Sequence, residues 1–482
     1  MQQALALLNE LSDSDVDWLL SAGSEQQVIA NTVVIREGEQ PTSLYIVLEG
    51  LLSVALASTG DRPVGVLGPG EIIGELSFLE EQTAAASVTA IESSLLLVVS
   101  RTILDVKLKD DPAFAIRFYR SLAIVIAQRL RQRGDVLGRR GHAQIQAEEA
   151  VSSNGARLAT AVDQFKALLA QADRAALRHE YAVPEATAKE IQQAFRDLCA
   201  DINAAIGDHI PAHPQVKDEL GARLQREMLP YVLLTNAAER CYAKPRGYAG
   251  DFLSIETLYQ NRAIGAGRLG PVLDRCFLDL KAAAAVRNRR GLLAEEIANV
   301  IAQKRGAVAR VTSLACGPAT ELFDVFSRIA DPSQLSANLI DIDLQALAFV
   351  ADKRDRAKLQ RHMQLINANL VYLATGRQII DLKDQDLIYS IGLTDYFNDK
   401  FVIKLLNYIH ATLRPGGKVI LGNFHPRNPD KAVMDHILDW RLIHRSEADM
   451  DRLFLSSSFN RPATNIRFEE QGINLFAECV KG

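Results

Sequence analysis

One short segment of the sequence combines residue types that suit ligand binding with the spacing of a tight connection. Residues 313–321 read SLACGPATE, with the apolar run VARVT before them and the helix-like pattern LFDVF after them. The pattern predicts a strand, a tight turn and a helix. Gly317 is the only glycine in this turn, where a nucleotide-binding loop often has two or three. The segment therefore fits either a cofactor loop or an ordinary strand-to-helix connection.

Two acidic residues follow the next predicted strand. The run ANLIDID places Asp341 at the strand end and Asp343 two residues later. A carboxylate at this position can accept both hydroxyls of a ribose, as an adenosine-containing ligand requires. An acidic residue after a strand is also often a helix N-cap, and Asp343 precedes the helical pattern LQALAFVADKR. Taken alone, neither the loop at 313–321 nor this acidic pair decides between ligand binding and a purely structural role.

The elements that position these residues alternate in type after about residue 305. Strand-like runs such as MQLINANL, DLIYSIGL and KVILGNF are separated by helical patterns. This alternation predicts a parallel sheet with helices on both faces. The last two runs, NIRFEE and INLFAECV, flank a Gln-Gly pair. They predict that the sheet ends in an antiparallel hairpin.

The rest of the chain has two other patterns. Short strand-like runs with Gly/Pro turns occupy about 25–100 and predict a small barrel or sandwich, and a helix follows over 114–133. From about 155 to 304 the 3.6-residue period of helices dominates. We predict a multidomain α+β and α/β protein with an N-terminal β-barrel or jelly roll, a helical middle and a doubly wound C-terminal sheet. The predicted boundaries are 1–135, a linker at 136–151, 152–304 and 305–482.

Composition excludes several classes of protein. The formal net charge of −5 argues against a general affinity for nucleic acid or anionic membrane surfaces. The apolar stretches are too short to span a membrane, and the N-terminus lacks the basic start of a signal peptide. The five cysteines show no CxxC spacing, which predicts reduced thiols, no metal site and a cytoplasmic protein.

The C-terminal region, about 305–482, resembles a class I S-adenosylmethionine-dependent methyltransferase. The resemblance rests on the small-residue turn, the acid after the second strand, the RPGG turn at 414–417 and the terminal hairpin. In that family small residues let the backbone approach the methionine end of the cofactor, and the corresponding positions here are Ala315, Gly317 and Ala319. Because alanine disfavours a positive φ, we expect only Gly317 to supply a special backbone angle. The resemblance also implies adenine contacts from Asn367 and Asn369, although both can equally be turn residues.

Two longer stretches resemble a more specific bacterial family, one labelled for 3-hydroxypalmitic acid methyl ester biosynthesis. They are AKPRGYAGDF at 243–252 and DLIYSIGLTDYF at 386–397. The resemblance implies O-methylation of a fatty acid carboxylate, a lipid-like acid, beneath a helical lid. Arg246 can meet a carboxylate of the substrate or of the methionine end of the cofactor, and Tyr248 and Asp251 can contact either. The arginines of VRNRR are typical of a solvated helix face, and of these we expect only Arg289 to enter the substrate site. The structural alternative for the first stretch is a helix–helix corner that Asp251 ties to the neighbouring backbone.

The need for a general base depends on the acceptor. A carboxylate is ionised at pH 7 and needs no base, whereas a hydroxyl needs one near the methyl group. His425 and Asp395 are the candidate bases, and Tyr396 is a further catalytic candidate. Tyr389 fits packing better. For His425 the alternative is a hydrogen-bonded loop residue before a proline.

The N-terminal region resembles a cyclic-nucleotide-binding domain over residues 33–100, through VVIREGEQPTSLYIVLEG and GPGEIIGELSFLEEQTAAASVTAIESS. The family pattern is matched at four nucleotide-contacting positions: Gly74, Glu75, Leu76 and Ser87. Ala84 stands where the family has the arginine that pairs with the cyclic phosphate. Losing this charge-assisted contact removes on the order of 2 kcal/mol, so we expect cyclic nucleotide to bind weakly or not at all. By the same resemblance, helix 114–133 implies a homodimer.

These expectations combine into one functional hypothesis. The sequence predicts a cytoplasmic S-adenosylmethionine-dependent methyltransferase acting on a carboxylic acid, with a degenerate nucleotide-binding domain at its N-terminus. Two alternatives remain open. One is methylation of a hydroxyl or amine on a small metabolite, and the other is a non-catalytic regulatory protein that binds a cofactor or a nucleotide.

Overall fold

The computed structural model describes residues 11–55, 63–69, 71–80, 83–134, 145–210 and 214–482. It divides into two compact units, Met1–Arg139 with Pro245–Tyr248, and Arg140–Lys244 with Ala249–Gly482. The helical segments after residue 152 and the C-terminal sheet thus belong to one unit. Much of the predicted linker, at 136–144, lies outside the described residues.

The first unit contains two four-stranded antiparallel sheets, with strand orders β1-β8-β3-β6 and β2-β7-β4-β5. The strands are β1 (Ser24–Val28), β2 (Val33–Ile35), β3 (Ser43–Glu49), β4 (Leu52–Ala55), β5 (Pro63–Leu67), β6 (Ile72–Ile73), β7 (Ser87–Ala90) and β8 (Ser94–Ser100). The helices are α1 (Asp13–Ala22), α2 (Glu75–Glu80), α3 (Arg101–Asp110) and α4 (Pro112–Gly134). This confirms the predicted N-terminal β domain, and α4 matches the helix expected at 114–133.

An ion pair ties α1 to α4. Arg117 on α4 donates from Nε and Nη2 to the two oxygens of Asp15 on α1, at 2.6 and 2.8 Å. Burial raises the pKa of Asp15, but the hydrogen bonds from Arg117 and Ser12 outweigh it and lower the pKa to about 2. The ion pair therefore persists throughout the physiological pH range.

Helices fill the first part of the second unit, as the 3.6-residue period predicts. They are α5 (Ile145–Ala176), α6 (Glu185–Ile206), α7 (Pro214–Val232), α8 (Ala237–Ala243), α9 (Phe252–Gln260), α10 (Gly270–Leu278) and α11 (Lys281–Gln303). Their apolar faces share one core, in which Phe195 packs against Phe165 and Phe277 with ring centroids 5.9 and 4.9 Å away. This core also includes Phe424 and Trp440 from the C-terminal part of the unit. The helical layer and the sheet therefore bury apolar surface against one another.

The second unit ends in a seven-stranded sheet with the order β11-β10-β9-β12-β13-β15-β14. Its strands are β9 (Ala309–Leu314), β10 (Leu335–Asp341), β11 (Met363–Asn367), β12 (Gln385–Ser390), β13 (Leu413–Phe424), β14 (Asn465–Phe468) and β15 (Asn474–Val480). The strands from β9 to β13 pair in parallel, whereas β15 is antiparallel to both β13 and β14. The doubly wound sheet and its terminal antiparallel hairpin are both confirmed.

Helices cover the two faces of this sheet. The remaining helices are α12 (Thr320–Arg328), α13 (Leu344–Arg356), α14 (Leu370–Ala374), α15 (Asp399–Thr412), α16 (Lys431–His436) and α17 (Glu447–Leu455). Residues of α11, α12 and α13 form one core with β9, β10 and β12, and α15 and α17 form another on the opposite side. Strand β12 is buried along its whole length, so a ligand can reach this part of the sheet only at the loops that follow the strands.

Candidate active site

The loop after β9 is more strained than the sequence predicts. Ala315, Gly317 and Ala319 all adopt left-handed backbone angles, with φ of 53°, 52° and 48°. The expectation that only Gly317 would do so was therefore wrong. A left-handed alanine costs about 1–2 kcal/mol, which the surrounding hydrogen bonds must offset. Cys316 N donates to Ile340 O at 3.1 Å, and Ala319 N donates to Cys316 O at 3.0 Å.

Asp341 ties this loop to the end of β10. Its Oδ2 accepts from Gly317 N and its Oδ1 accepts from Asp343 N, both at 2.9 Å. The side chain is buried, and burial raises the pKa of Asp341 to about 6 despite these hydrogen bonds. A carboxylate offers about four acceptor positions, so two remain for a ligand.

The neighbouring polar residues have structural partners. Asp343 caps α13 by accepting from Gln345 N at 2.9 Å, as its alternative interpretation proposed. Asn369 caps α14 in the same way through Val371 N, and Asn367 Nδ2 donates to Ile342 O at 2.9 Å. These contacts favour a ligand role for Asp341 over Asp343. Adenine binding by Asn367 and Asn369 stays a prediction.

Helix α9 begins above the strained loop. Asp251 caps the helix by accepting from Leu253 N and Ser254 N at 2.9 and 2.8 Å, and Arg240 Nη2 donates to both of its oxygens. Asp251 is wholly buried. The predicted substrate role of Asp251 is thus replaced by the structural alternative, because its oxygens are already occupied. A Cβ added at Gly317 would meet only Phe252 Cβ, at 4.0 Å, so this face of the loop is loosely packed against the start of α9.

A second loop follows β12 and contains Asp395 and Tyr396. Asp395 is buried and accepts from Phe424 N at 2.6 Å. Burial raises the pKa of Asp395 to about 6. Tyr396 Oη accepts from Trp440 Nε1 at 2.8 Å, and a Cβ added at Gly250 would lie only 2.6 Å from that oxygen. The RGYAGDF stretch therefore needs glycine at position 250 for the close approach to Tyr396.

A buried arginine lies between the two loops. Arg289 on α11 is 4% exposed, its Nε has no hydrogen-bond partner, and no carboxylate of the described residues lies within 4.0 Å of it. Its guanidinium packs against Gly392, where an added Cβ would lie 2.9 Å from Nη1, and its charge opposes the rise that burial causes in the pKa of Tyr259. The structure thus brings Arg289 to the predicted site. Its role as a substrate ligand stays a prediction.

Sequence reasoning missed one acidic residue at this place. Glu321, in the first turn of α12, is 3% exposed, and Tyr389 Oη donates to its Oε1 at 2.7 Å. Burial raises the pKa of Glu321, and the hydrogen bond from Tyr389 opposes that shift. The available signal was the position of Glu321 directly after the small-residue loop. Tyr389 is fully buried, in agreement with its predicted packing role.

His425 does not have the free ring nitrogen that a general base needs. Its Nδ1 accepts from Arg427 N at 3.0 Å, and its Nε2 lies 2.9 Å from Glu447 Oε2. Because Nδ1 accepts from a backbone N–H, the ring proton is on Nε2 and points to Glu447. The prediction that His425 can act as a base is therefore corrected in favour of its alternative, a packed loop residue.

An apolar cavity of about 30 Å³ opens beside the second loop. It is lined by Ala237, Ala238, Cys241, Leu258, Phe277, Leu280, Ala282, Ala283, Val286, Phe424, Met434, Leu438 and Trp440. Trp440 belongs both to this lining and to the hydrogen bond with Tyr396. An apolar pocket thus adjoins the polar groups after β12.

The predicted nucleotide positions of the first unit lie at the start of α2 and the start of β7. Gly74 has a φ of 89°, Glu75 is buried at the start of α2 with Leu76 beside it, and Ser87 Oγ accepts from Glu37 N at 3.0 Å. Ala84 is buried and exchanges backbone hydrogen bonds with Gly38 and Glu39. Ala84 carries no charge that could pair with a cyclic phosphate. The expected loss of nucleotide affinity and the expected homodimer both stay predictions.

The structure says less about the remaining predictions, which concern two residues of the RGYAGDF stretch, metal binding and membrane spans. Arg246 and Tyr248 belong to the segment that groups with the first unit, and their substrate roles stay predictions. Within the described residues, no group of three or more His, Cys, Asp or Glu side chains is arranged to hold a metal ion. No helix in the same part of the chain is long and apolar enough to cross a membrane.

Two family models match the chain. Residues 25–111 match the cyclic nucleotide-binding domain, and residues 245–477 match a family described as "Putative methyltransferase". The N-terminal part of the chain is thus similar to a cyclic nucleotide-binding domain and its C-terminal part to this methyltransferase family, and neither match covers half of the chain. The second match includes the loops after β9, β10 and β12 that carry the site.

Individual relatives match shorter parts of the chain. Lysophospholipase nte1 of Aspergillus fumigatus is 34% identical over 107 residues, which are 22% of this chain and 7% of that protein. The cyclic AMP receptor protein of Thermus thermophilus is 30% identical over 128 residues, 26% of this chain and 57% of that protein. Among solved structures, a possible exported protein from Bordetella parapertussis aligns over 62% of this chain and 99% of its own, at 19% identity and a TM-score of 0.38.

Proposed function

We propose that the second unit is an S-adenosylmethionine-dependent O-methyltransferase whose acceptor is a carboxylic acid of the (hydroxy) fatty acid class. The observation that carries the proposal is the pairing of Asp341 with the backbone of Gly317, at the carboxyl ends of β9 and β10. The match of residues 245–477 to a methyltransferase family supports the reaction class.

The residues present fit the cofactor. Asp341 keeps about two acceptor positions for the ribose hydroxyls, and the absence of a side chain at Gly317 lets the backbone approach a ligand closely. When bound, S-adenosylmethionine would supply a sulfonium methyl group that a carboxylate oxygen accepts, giving a methyl ester and S-adenosylhomocysteine.

The protein's own contribution is positioning and the exclusion of water. A carboxylate acceptor is ionised at pH 7 and needs no proton removed, so a site whose histidine is fully hydrogen-bonded can still serve it. The side chains around Trp440 are apolar, but the cavity that they line, about 30 Å³, is smaller than a hydrocarbon chain. The support for an acid acceptor therefore comes from the fact that it needs no base.

One observation favours a second candidate, methylation of a hydroxyl group. Asp395 is buried, its pKa is raised to about 6, and it lies in the loop after β12 beside Tyr396. A carboxylate with a raised pKa is a stronger base than an exposed one. In this alternative Asp395 removes the proton of the acceptor hydroxyl.

Incubation of the full chain with methyl-labelled S-adenosylmethionine and a cell extract, followed by mass spectrometry, identifies the acceptor. We expect a labelled ester that is released by mild alkali. Asp395→Asn then distinguishes the candidates, because removing a general base costs roughly 10²–10⁴-fold in turnover and a carboxylate acceptor does not need one. Label in an ether or amine would contradict the proposed acceptor, and no S-adenosylmethionine-dependent label would contradict the proposed reaction.

A further inference from the structure

Two opposite charges are buried at the candidate site without pairing to each other. Arg289 is 4% exposed and Glu321 is 3% exposed, yet no ion pair within 4.0 Å joins them. Burying a charge without a partner costs several kcal/mol, so such groups usually have a ligand or a counter-charge. No carboxylate of the described residues lies within 4.0 Å of the Arg289 guanidinium, and its Nε has no hydrogen-bond acceptor. Asp395 and Glu321 act on its charge only across a longer distance.

Both side chains are held in place by other residues. Tyr389 donates to Glu321 Oε1 at 2.7 Å, and Arg289 lies near enough to Tyr259 for its charge to oppose the rise that burial causes in the pKa of that phenol. Gly392 allows the guanidinium to approach the backbone of the loop after β12, since a Cβ there would lie 2.9 Å from Nη1. The two charges are thus fixed on neighbouring walls of one site, α11 and the first turn of α12.

A ligand that satisfies both charges carries a carboxylate and an ammonium group close together. An amino-acid zwitterion has this arrangement, and S-adenosylmethionine ends in one. We propose that Arg289 binds the carboxylate and Glu321 binds the ammonium group of the cofactor's amino-acid end. This inference rests on the proposed function, and it assigns Arg289 to the cofactor instead of the acceptor.

Truncated ligands test the two halves of the pair separately. S-adenosylhomocysteine carries both charged groups, S-adenosyl-3-thiopropylamine carries only the ammonium, and 5′-methylthioadenosine carries neither. The variants are Arg289→Met, which removes the cation, and Glu321→Gln, which can still accept from Tyr389. Arg290→Gln is the matched control, because Arg290 is the next residue on α11 and pairs with Asp324.

Calorimetry on the full chain should give a distinct pattern for each variant. Arg289→Met should weaken S-adenosylhomocysteine roughly ten- to hundredfold and leave the other two ligands within about twofold. Glu321→Gln should weaken S-adenosylhomocysteine and S-adenosyl-3-thiopropylamine alike, again leaving 5′-methylthioadenosine unchanged. Arg289→Lys should recover part of the lost affinity because it restores the charge. Arg290→Gln should bind like the parent.

Each other outcome has a definite meaning. If the parent does not bind S-adenosylhomocysteine at all, the proposed function fails and this inference fails with it. If the parent binds S-adenosylhomocysteine and both Arg289→Met and Glu321→Gln bind it as tightly as the parent, only the present inference is wrong. It is also wrong if Arg289→Met and Arg289→Lys lose all three ligands equally, which indicates a structural role. A raised KM for the acceptor with unchanged S-adenosylhomocysteine affinity would assign Arg289 to the acceptor instead.

Discussion

The proposed ribose contact of Asp341 predicts that cofactor affinity depends on pH. Two of about four acceptor positions of its carboxylate receive Gly317 N and Asp343 N, both at 2.9 Å. Only the ionised form keeps two more for the ribose hydroxyls, because protonation turns one oxygen into a donor. Burial raises the pKa of Asp341 to about 6, so its carboxylate becomes protonated within the pH range in which binding can be measured.

The magnitude follows from the ionised fraction. At about pH 7.5 nearly every molecule is ionised, and at about pH 5 roughly one in ten is, so S-adenosylhomocysteine should bind roughly tenfold more weakly at the lower pH. The stability of the unliganded fold depends on pH in the opposite direction. A folded-state pKa above the usual value of 3.8 means that the unliganded fold gains stability as pH falls from about 6 toward 4.

Calorimetric titrations of the parent and two variants test this reasoning. Asp341→Asn should bind at least roughly tenfold more weakly at about pH 7.5 and show little change between the two pH values. Asp395→Asn is the matched control, since burial raises the pKa of Asp395 to about 6 as well, and this variant should keep the pH dependence of the parent. A pH-independent parent affinity, or an Asp341→Asn profile as steep as the parent's, would refute the role of Asp341.

Three further predictions concern other residues. Ala315→Gly should raise the free energy of unfolding by up to about 1 kcal/mol, because glycine relieves the left-handed strain; denaturant unfolding checks this, and a less stable variant would mean that the methyl group has a packing role. His425→Ala should keep turnover within about tenfold of the parent. A hundredfold loss would show that His425 does act as a general base. Cyclic AMP should bind to the parent more weakly than micromolar, and Ala84→Arg should raise that affinity in calorimetry; tight binding by the parent would show that another cation replaces the arginine.

The sequence by itself determined the arrangement of strands and helices around the site. Apolar periodicity predicted the parallel strands and the helices between them, and the Gln-Gly pair predicted the closing hairpin, whose β14 and β15 are indeed antiparallel. The same pattern located Gly317 and Asp341, because in a parallel sheet the loops that follow adjacent strands meet at one edge. These features depend on residues that are near in sequence, and local patterns record them.

Only the tertiary structure decided which polar groups have partners. Glu321 meets Tyr389 across 68 residues of sequence and His425 meets Glu447 across 22, so no local pattern showed that one glutamate is buried or that one histidine is occupied. The left-handed angles of Ala315 and Ala319 contradict the local preference of alanine, because hydrogen bonds within the loop and to the end of β10 hold the loop in place. Arg289 resembles a surface arginine in sequence, yet the packing of α11 against the sheet buries it without a carboxylate. Burial and pairing depend on elements that are distant in the chain, and the fold alone brings those elements together.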